Sequence, residues 1–565
     1  MINFETLAYE RVEIGTWEIA IVNVLENMRT ATSAEQQIEM ITAYYNLMAK
    51  QSTMANLAYV RRSINVKDAF YDTEVKYYDT TNPIVQKYAT EYYTILLNSG
   101  YRKELETALG KQLFTLAEVG EKTFKPSIIE DLQKENELSS NHSEFIGKAK
   151  IVFRGKEYNL SGIIPLLEDK DRQTRKEASE AYWGFYVANQ EFIGNTYDEM
   201  VKTRTEIAKK LGFDNFLPLA YLRMNRTDYN MTDVQKFREA IHKYVVPICT
   251  QLKQQQQSRL GLDTLYYYDE SLLFASGNPK PIGDSKELTT KAQKMYHELS
   301  EDTGAFFDKM VEGKLLDLDV KENKMPGGYC ASFEDFKMPF IFANFKQTSH
   351  DVTVLTHEAG HAFQSYSSSY HTVTEYQWPT TEACEIHSMG MEFLTWPWMD
   401  SFFGQDTKKF QYEHVSTSLN LLCTCAMIDE FQEMVYLHAD WTHEQRNAAY
   451  KNIVLKYAPH KNFEENEELA KGISWQRVNH IFSTPFYYID YALAQLCAFQ
   501  FWKKADVNRP KAMEEYIKLC KVGGQYSFVE LLKYAELDSP FEETTIKSIA
   551  NYVNDWLQNA EGDKL

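Results

Sequence analysis

At 565 residues the chain is long enough to bury a sound hydrophobic core, and length alone suggests roughly two to four folding units. An aromatic share of 14%, with 37 Tyr and 32 Phe, fits a well-packed globular protein and excludes a disordered one. The net charge of −20 argues against nucleic-acid phosphates as the main ligand, but it does not fix the potential inside any one cleft.

The first segment, "MINFETLAYERVEIGTW", lacks a basic start followed by an apolar run, so no secretory signal is expected. A membrane span needs about 18 uninterrupted apolar residues. The nearest candidate, "YALAQLCAFQFW", is short and interrupted by glutamines. The seven cysteines form no CxxC pair and read as free thiols of a reducing compartment, with Cys423 and Cys425 in the core. The expectation is a cytoplasmic protein with no membrane or nucleic-acid partner.

Along the chain, apolar residues recur at three- and four-residue spacing in stretches rich in Glu, Lys, Gln, Leu and Ala, which predicts helix over most of the length. "KIVFRGKEYNL" (150–160) predicts a hairpin turning at Arg154-Gly155. "TEIAKKLGFDNF" predicts a helix closing on a left-handed Gly212. "KQQQQ" (253–257) reads as a polar helix surface, and "ASGNPKPIGDS" (275–285) as a loop. "MPFIFANF" (338–345) reads as a strand. It could be an edge that pairs with an extended peptide or a buried core strand, and the pattern does not choose between them.

The helix that follows carries "LTHEAGHAFQ" (355–364). Residues four apart share a helical face, so His357 and His361 can turn a ring nitrogen to one ion. Glu358, one step round, can reach a water there without being a ligand. Ser349 or Asp351 offers an N-cap, and Val352, Leu355, Ala359 and Phe363 form an apolar stripe. Composition alone allows about 0.04 chance matches to this pattern. A catalytic zinc needs a third protein ligand and an open position. No third histidine stands at the usual spacing, but "TTEACEIHSMGMEF" (380–393) places Glu382, Glu385 and Glu392 roughly on one face of a second helix. The helical geometry leaves open which of the three is the ligand. Gly360 inside the motif lowers helix stability relative to Ala, and close approach of another backbone would explain it.

On these residues the chain resembles the thimet oligopeptidase and oligoendopeptidase F family of zinc metallopeptidases over about residues 150 to 550. In that family a ligand glutamate follows the second histidine by some two dozen residues, with another glutamate seven positions later. Glu385 lies 24 positions after His361 and Glu392 seven after Glu385, a register that selects Glu385. "LLEDKDRQTRKEASEAY", "LGLDTLYYYDESL" and "LDLDVKENKMPGGYCASF" resemble further segments of the oligoendopeptidase F branch. The last departs from the family form at Met325-Pro326-Gly327-Gly328, so the resemblance assigns no role to that loop. In "NHIFSTPFYYIDYALAQ" (479–495), His480, Tyr488 and Tyr491 match a histidine and tyrosines that face the metal across the cleft. Read from the residues alone, such a tyrosine run is more often core packing. Ser483-Thr484-Pro485 replaces the glycine-rich loop of the mammalian members.

The resemblance implies a mainly α, zincin-type fold: an elongated helical ellipsoid with a deep substrate channel and a small β-sheet next to the motif helix. Residues 1–165 would form one channel wall and 166–565 the catalytic region. It implies one Zn2+ per chain held by His357, His361 and Glu385, although the same ligands accept cobalt or manganese. Glu358 would act as general base, His480, Tyr488 and Tyr491 would bind substrate and the oxyanion, and Glu392 would orient a ligand histidine. Short unstructured peptides are the implied substrates. Two rivals stand beside this endopeptidase reading. One is a dipeptidyl carboxypeptidase or carboxypeptidase on a related scaffold, for which no basic anchor of a free carboxylate can be located from sequence. The other is a non-catalytic, zinc-stabilised peptide-binding protein.

Overall fold

The computed structural model describes residues 2–464, 466–560 and 562–565. Among the described residues the chain is mainly helical, with two small sheets. The helices that frame the site are α1 (Ala34–Ile64), α2 (Arg172–Leu211), α3 (Val246–Arg259), α4 (His350–Ser368), α5 (Thr381–Leu394), α6 (Thr407–Leu437), α7 (His443–Tyr457) and α8 (Tyr488–Val522). The expected mainly α, zincin-type arrangement with a small sheet beside the motif helix is the one observed. A continuous hydrophobic core draws residues from Leu57 to Leu557, and two smaller clusters lie mostly among the N-terminal helices. Among the described residues no helix is long and apolar enough to cross a membrane.

Local signals account for several boundaries. β1 (Ile151–Phe153) and β2 (Lys156–Tyr158) pair antiparallel around Arg154 and Gly155, both at positive φ, as the two-residue turn requires. α2 ends on Gly212 at φ 97°, the left-handed cap. α8 is interrupted where Asn508 leaves helical geometry two residues before Pro510.

The second sheet decides between the two readings of 338–345. β3 (Leu316–Asp319), β4 (Tyr329–Phe333) and β5 (Met338–Phe345) run in the order β3-β5-β4, with β3 parallel and β4 antiparallel to β5. β5 is therefore the central strand, buried from Met338 to Asn344, and cannot offer an edge to a peptide. The outer strand on the side of β4 is β4 itself.

Four residues separate β5 from α4. Neither proposed N-cap acts as one. Ser349 sits in helical geometry and gives its hydroxyl to Glu413 at 2.9 Å, while Asp351 accepts the backbone N–H groups of Lys346 and Gln347. The apolar stripe of Val352, Leu355, Ala359 and Phe363 faces the core as expected. "KQQQQ" is not wholly surface either: Gln256 on α3 is buried and donates to the carbonyls of Glu270 and Leu272.

Candidate metal centre

α4 and α5 pack so closely that a Cβ on Gly360 would lie 2.5 Å from the His387 carbonyl oxygen and 2.7 Å from Ser388 Cα. Only glycine permits that approach, which is the structural reason for the gap inside the motif. α5 is buried on every side from Glu382 to Leu394, and that span includes three glutamates. Buried carboxylates are costly unless something compensates their charge.

Two of the three find compensation beside the motif histidines. Glu385 Oε2 lies 3.2 Å from His357 Nε2 and 3.4 Å from His361 Nε2. One ligand atom from each of these residues fits within 4.8 Å of the others. Burial opposes charge on His357, yet Glu385 and Glu392 outweigh it and hold its pKa well above the ordinary value. Burial likewise opposes ionisation of Glu385, and His361 and His357 overcome it to pull its pKa well below the usual range. The cluster thus favours a positive charge at the point where the ring nitrogens meet the carboxylate, and two imidazoles with one carboxylate suit zinc.

Glu392 does not join that set. Its Oε1 is 2.7 Å from His357 Nδ1 and its Oε2 is 2.6 Å from His414 Nε2 on α6, while Trp396 Nε1 donates to His414 Nδ1 at 2.9 Å. An indole N–H can only donate, so His414 Nδ1 accepts and its ring proton sits on Nε2. Glu392 then accepts from both imidazoles, which fixes the His357 proton at Nδ1 and leaves Nε2 free for a cation. Glu382 faces elsewhere: it is buried beside Arg226, Asp490 and Tyr229, and burial with the Asp490 charge raises its pKa to about 8. The three glutamates therefore do not share one face.

The wall opposite α4 comes from the segment before α8 and its first turn. A cavity of about 470 Å³ is lined by Gly328, His357, Glu358, His480, Tyr488 and Tyr491, among others. His361 and Glu385 are buried and do not line it. Tyr491 Oη and His480 Nε2 are 3.3 Å apart, and the His480 ring lies 5.2 Å from that of Tyr488. Glu358 is buried with its Oε2 unpartnered among the described residues, and burial raises its pKa. A Cβ on Gly328 would stand 3.3 Å from Glu358 Oε1, so the loop that departs from the family form runs along this cavity. Asn344 holds that loop by donating to the carbonyls of Met325 and Gly327 at 2.8 Å each. Burial lowers the pKa of His480 and raises those of Tyr488 and Tyr491, so the tyrosines remain hydroxyl donors.

Sequence reasoning missed three residues here: His414, Trp396 and Tyr487, whose hydroxyl donates to Glu385 Oε1. Tyr487 and Tyr491 stand four apart with rings 5.2 Å apart, a spacing that could have flagged them. His414 and Trp396 carry no comparable local signal.

A model described as peptidase family M3 matches residues 165–551, and one described as the peptidase M3 N-terminal domain matches 4–124. The chain belongs to peptidase family M3. A curated relative, an oligoendopeptidase F homolog of Borreliella burgdorferi, is 26% identical over 400 residues, covering 68% of this chain and 65% of that one. Oligopeptidase PepF of Bacillus subtilis is 21% identical over 426 residues, covering 71% and 60%. The matched region thus spans less than two thirds of these two relatives' length. Among solved structures, PZ peptidase A with an inhibitor shares 45% identity at a TM-score of 0.98, over 99% of this chain and 100% of that one. A structure from Bacillus anthracis assigned as an oligoendopeptidase F shares 45% identity at 0.94, over the whole of both chains. The resemblance to the oligoendopeptidase F branch is thereby borne out.

Proposed function

We propose that this M3 protein is a zinc-dependent endopeptidase that hydrolyses short, unstructured oligopeptides. The observation that carries the reading is the convergence of His357, His361 and Glu385, with His357 and a buried Glu358 that has an unpartnered carboxylate oxygen both lining the cavity. His357, His361 and Glu385 would hold one zinc ion per chain. Bound there, zinc polarises a peptide carbonyl and brings the pKa of a water toward neutrality.

The chain's own groups do the rest. Glu358 takes the proton of the attacking water at its free Oε2 and returns it to the leaving amine. Tyr488 and Tyr491, kept protonated by burial, donate to the oxyanion, each contribution worth about 3 kcal/mol. Neutral His480 orients the Tyr491 hydroxyl and the substrate. Tyr487 and the Trp396–His414–Glu392 chain fix the ligand side chains in place. A closed structural zinc site would have no use for a free Glu358, which weighs against a non-catalytic peptide binder.

The same proposal takes residues 1–165 as a channel wall and 166–565 as the catalytic region. It also takes the protein as cytoplasmic, in keeping with seven cysteines that form no disulfide. The test is Glu358→Gln, with bound metal measured alongside cleavage of a mixed peptide library. Metal should remain stoichiometric while turnover falls by about 1,000-fold or more. An active Gln variant overturns the reading.

A further inference from the structure

A second cavity, of about 360 Å³, adjoins the catalytic one; both are lined by Thr417 of α6. α6 continues the shared wall, with Leu421 on the catalytic side and Thr424 on the other. Tyr182 and Trp183 of α2, Tyr450 of α7, Lys253 of α3 and Arg477 are among its lining.

The charges in this cavity are unlike those of the protein as a whole. The chain carries −20, yet Arg477 is exposed to the cavity with no ion pair or hydrogen bond among the described residues. Its guanidinium carbon lies over the Trp183 ring, 5.8 Å from the ring centre. The groups that act on its charge are Tyr182, Tyr488, Tyr450 and Tyr186, and no carboxylate is among them. Lys253 has no carboxylate partner either: it donates to the Gln256 side chain at 2.9 Å and to the Glu270 carbonyl at 3.4 Å. The nearby Glu270 carboxylate is taken by Lys461. Burial keeps His460 neutral and pushes Glu168 up to about 7, which leaves Glu270, paired with Lys461, as the ionised carboxylate of the lining.

An accessible guanidinium with no ion pair is free to take an anion that enters the cavity. Its planar fork fits a carboxylate bidentately, and the Trp183 face beside it is a flat wall that orients the guanidinium. We propose that this cavity is a carboxylate-binding subsite of the peptide channel, with Arg477 as anchor and Lys253 as supporting charge. The inference rests on the peptidase reading above. Because Arg477 lines a cavity beyond Tyr488, the anchored carboxylate lies at a fixed number of residues from the scissile bond. Both a C-terminal carboxylate and an acidic side chain carry the required chemistry.

The test uses one peptide sequence in three forms: free acid, C-terminal amide, and amide with a single Glu placed at successive positions. Each is cleaved by the wild type, Arg477→Ala and Arg477→Lys, and the cuts are mapped by mass spectrometry. In the wild type, kcat/KM for the free acid should exceed that for the plain amide by about 10- to 100-fold, or one Glu position should restore the amide by that factor. The first result names the terminus as the source and the second the side chain. In Arg477→Ala the ratio should collapse to about 1, with Arg477→Lys intermediate, a change that altered folding alone would not produce. A wild-type ratio near 1 at every position, or a ratio that survives Arg477→Ala, overturns the proposal. Calorimetric binding of the same peptides to Glu358→Gln separates the two readings. Acid-selective binding without any cleavage in the wild type leaves the anchor standing and sinks the peptidase, whereas cleavage without selectivity does the reverse.

Discussion

Replacing Glu392 by Gln tests how the proposed metal ligands are held. Glu392 accepts from His357 and His414 at 2.7 and 2.6 Å, and the Trp396 indole orders the far side of His414. Gln keeps the volume but removes the charge, and it brings one N–H donor group where two acceptor oxygens stood. Since both imidazole nitrogens facing it carry protons, one ring must change tautomer. If His357 changes, its Nε2 loses the lone pair meant for the metal; if His414 changes, Trp396 loses its acceptor. A buried polar atom left unpaired costs about 1–3 kcal/mol, and loss of the carboxylate weakens the basicity of the His357 ring as well. Zinc affinity should fall by roughly 10- to 100-fold, or about 1.4 to 2.7 kcal/mol. Competition against a chromophoric chelator measures it directly, independent of peptidase activity. Trp396→Phe, which removes only the outermost donor, should cost about 2- to 5-fold. A Glu392→Gln protein with wild-type zinc affinity would refute the orienting chain.

Glu385→Ala should lose stoichiometric metal in elemental analysis, while Glu382→Ala, altered beside Arg226 and Asp490, should keep it; the opposite pattern would exchange their roles. Tyr488→Phe should lower kcat by about 100-fold with little change in KM, the signature of a donor used in the transition state. The pH profile has a determined sign. Burial raises the Glu358 pKa, and a general base works deprotonated, so kcat/KM should fall as pH drops through a value above the roughly 4.3 of a free glutamate. An acid limb at or below that value would mean another group is the base.

How far the site could be read in advance depended on whether the deciding contact was local. His357, Glu358 and His361 lie within one and a half turns, so their common placement follows from helical period alone. Gly155, Gly212 and Gly360 each mark a backbone need that no other residue meets, and each stands where that need occurs. The position of β5 was different: a run of buried β-prone residues is equally consistent with centre or edge, and β3, some twenty residues earlier, decides it by pairing in parallel. The capping choice failed for a similar reason, because Glu413 on α6 draws the Ser349 hydroxyl away. Tyr487 rather than Tyr488 reaches Glu385 because Phe486 takes φ 68° directly after Pro485, rotating the segment that enters α8. Neither residue signals that turn by type.

The inward-facing polar residues share one cause. Gln256 on α3 points into the protein because the carbonyls of residues 269–272 have been bent out of regular structure and need donors. Lys253 lies one helical turn earlier on α3, so the same rotation carries it to the cavity beside Arg477. On α5 the logic runs the other way: Glu385 and Glu392 are tolerated inside because His357, His361 and His414 are already there to meet them. Glu382, which has no such cation free to it, is driven toward its neutral form instead. The difference among these three glutamates therefore lies in their neighbours on α4, α6 and α8 and not in the helix that bears them. A one-dimensional pattern registers three equivalent carboxylates; the partners supplied by the fold make one a ligand candidate, one a support, and one a buried acid.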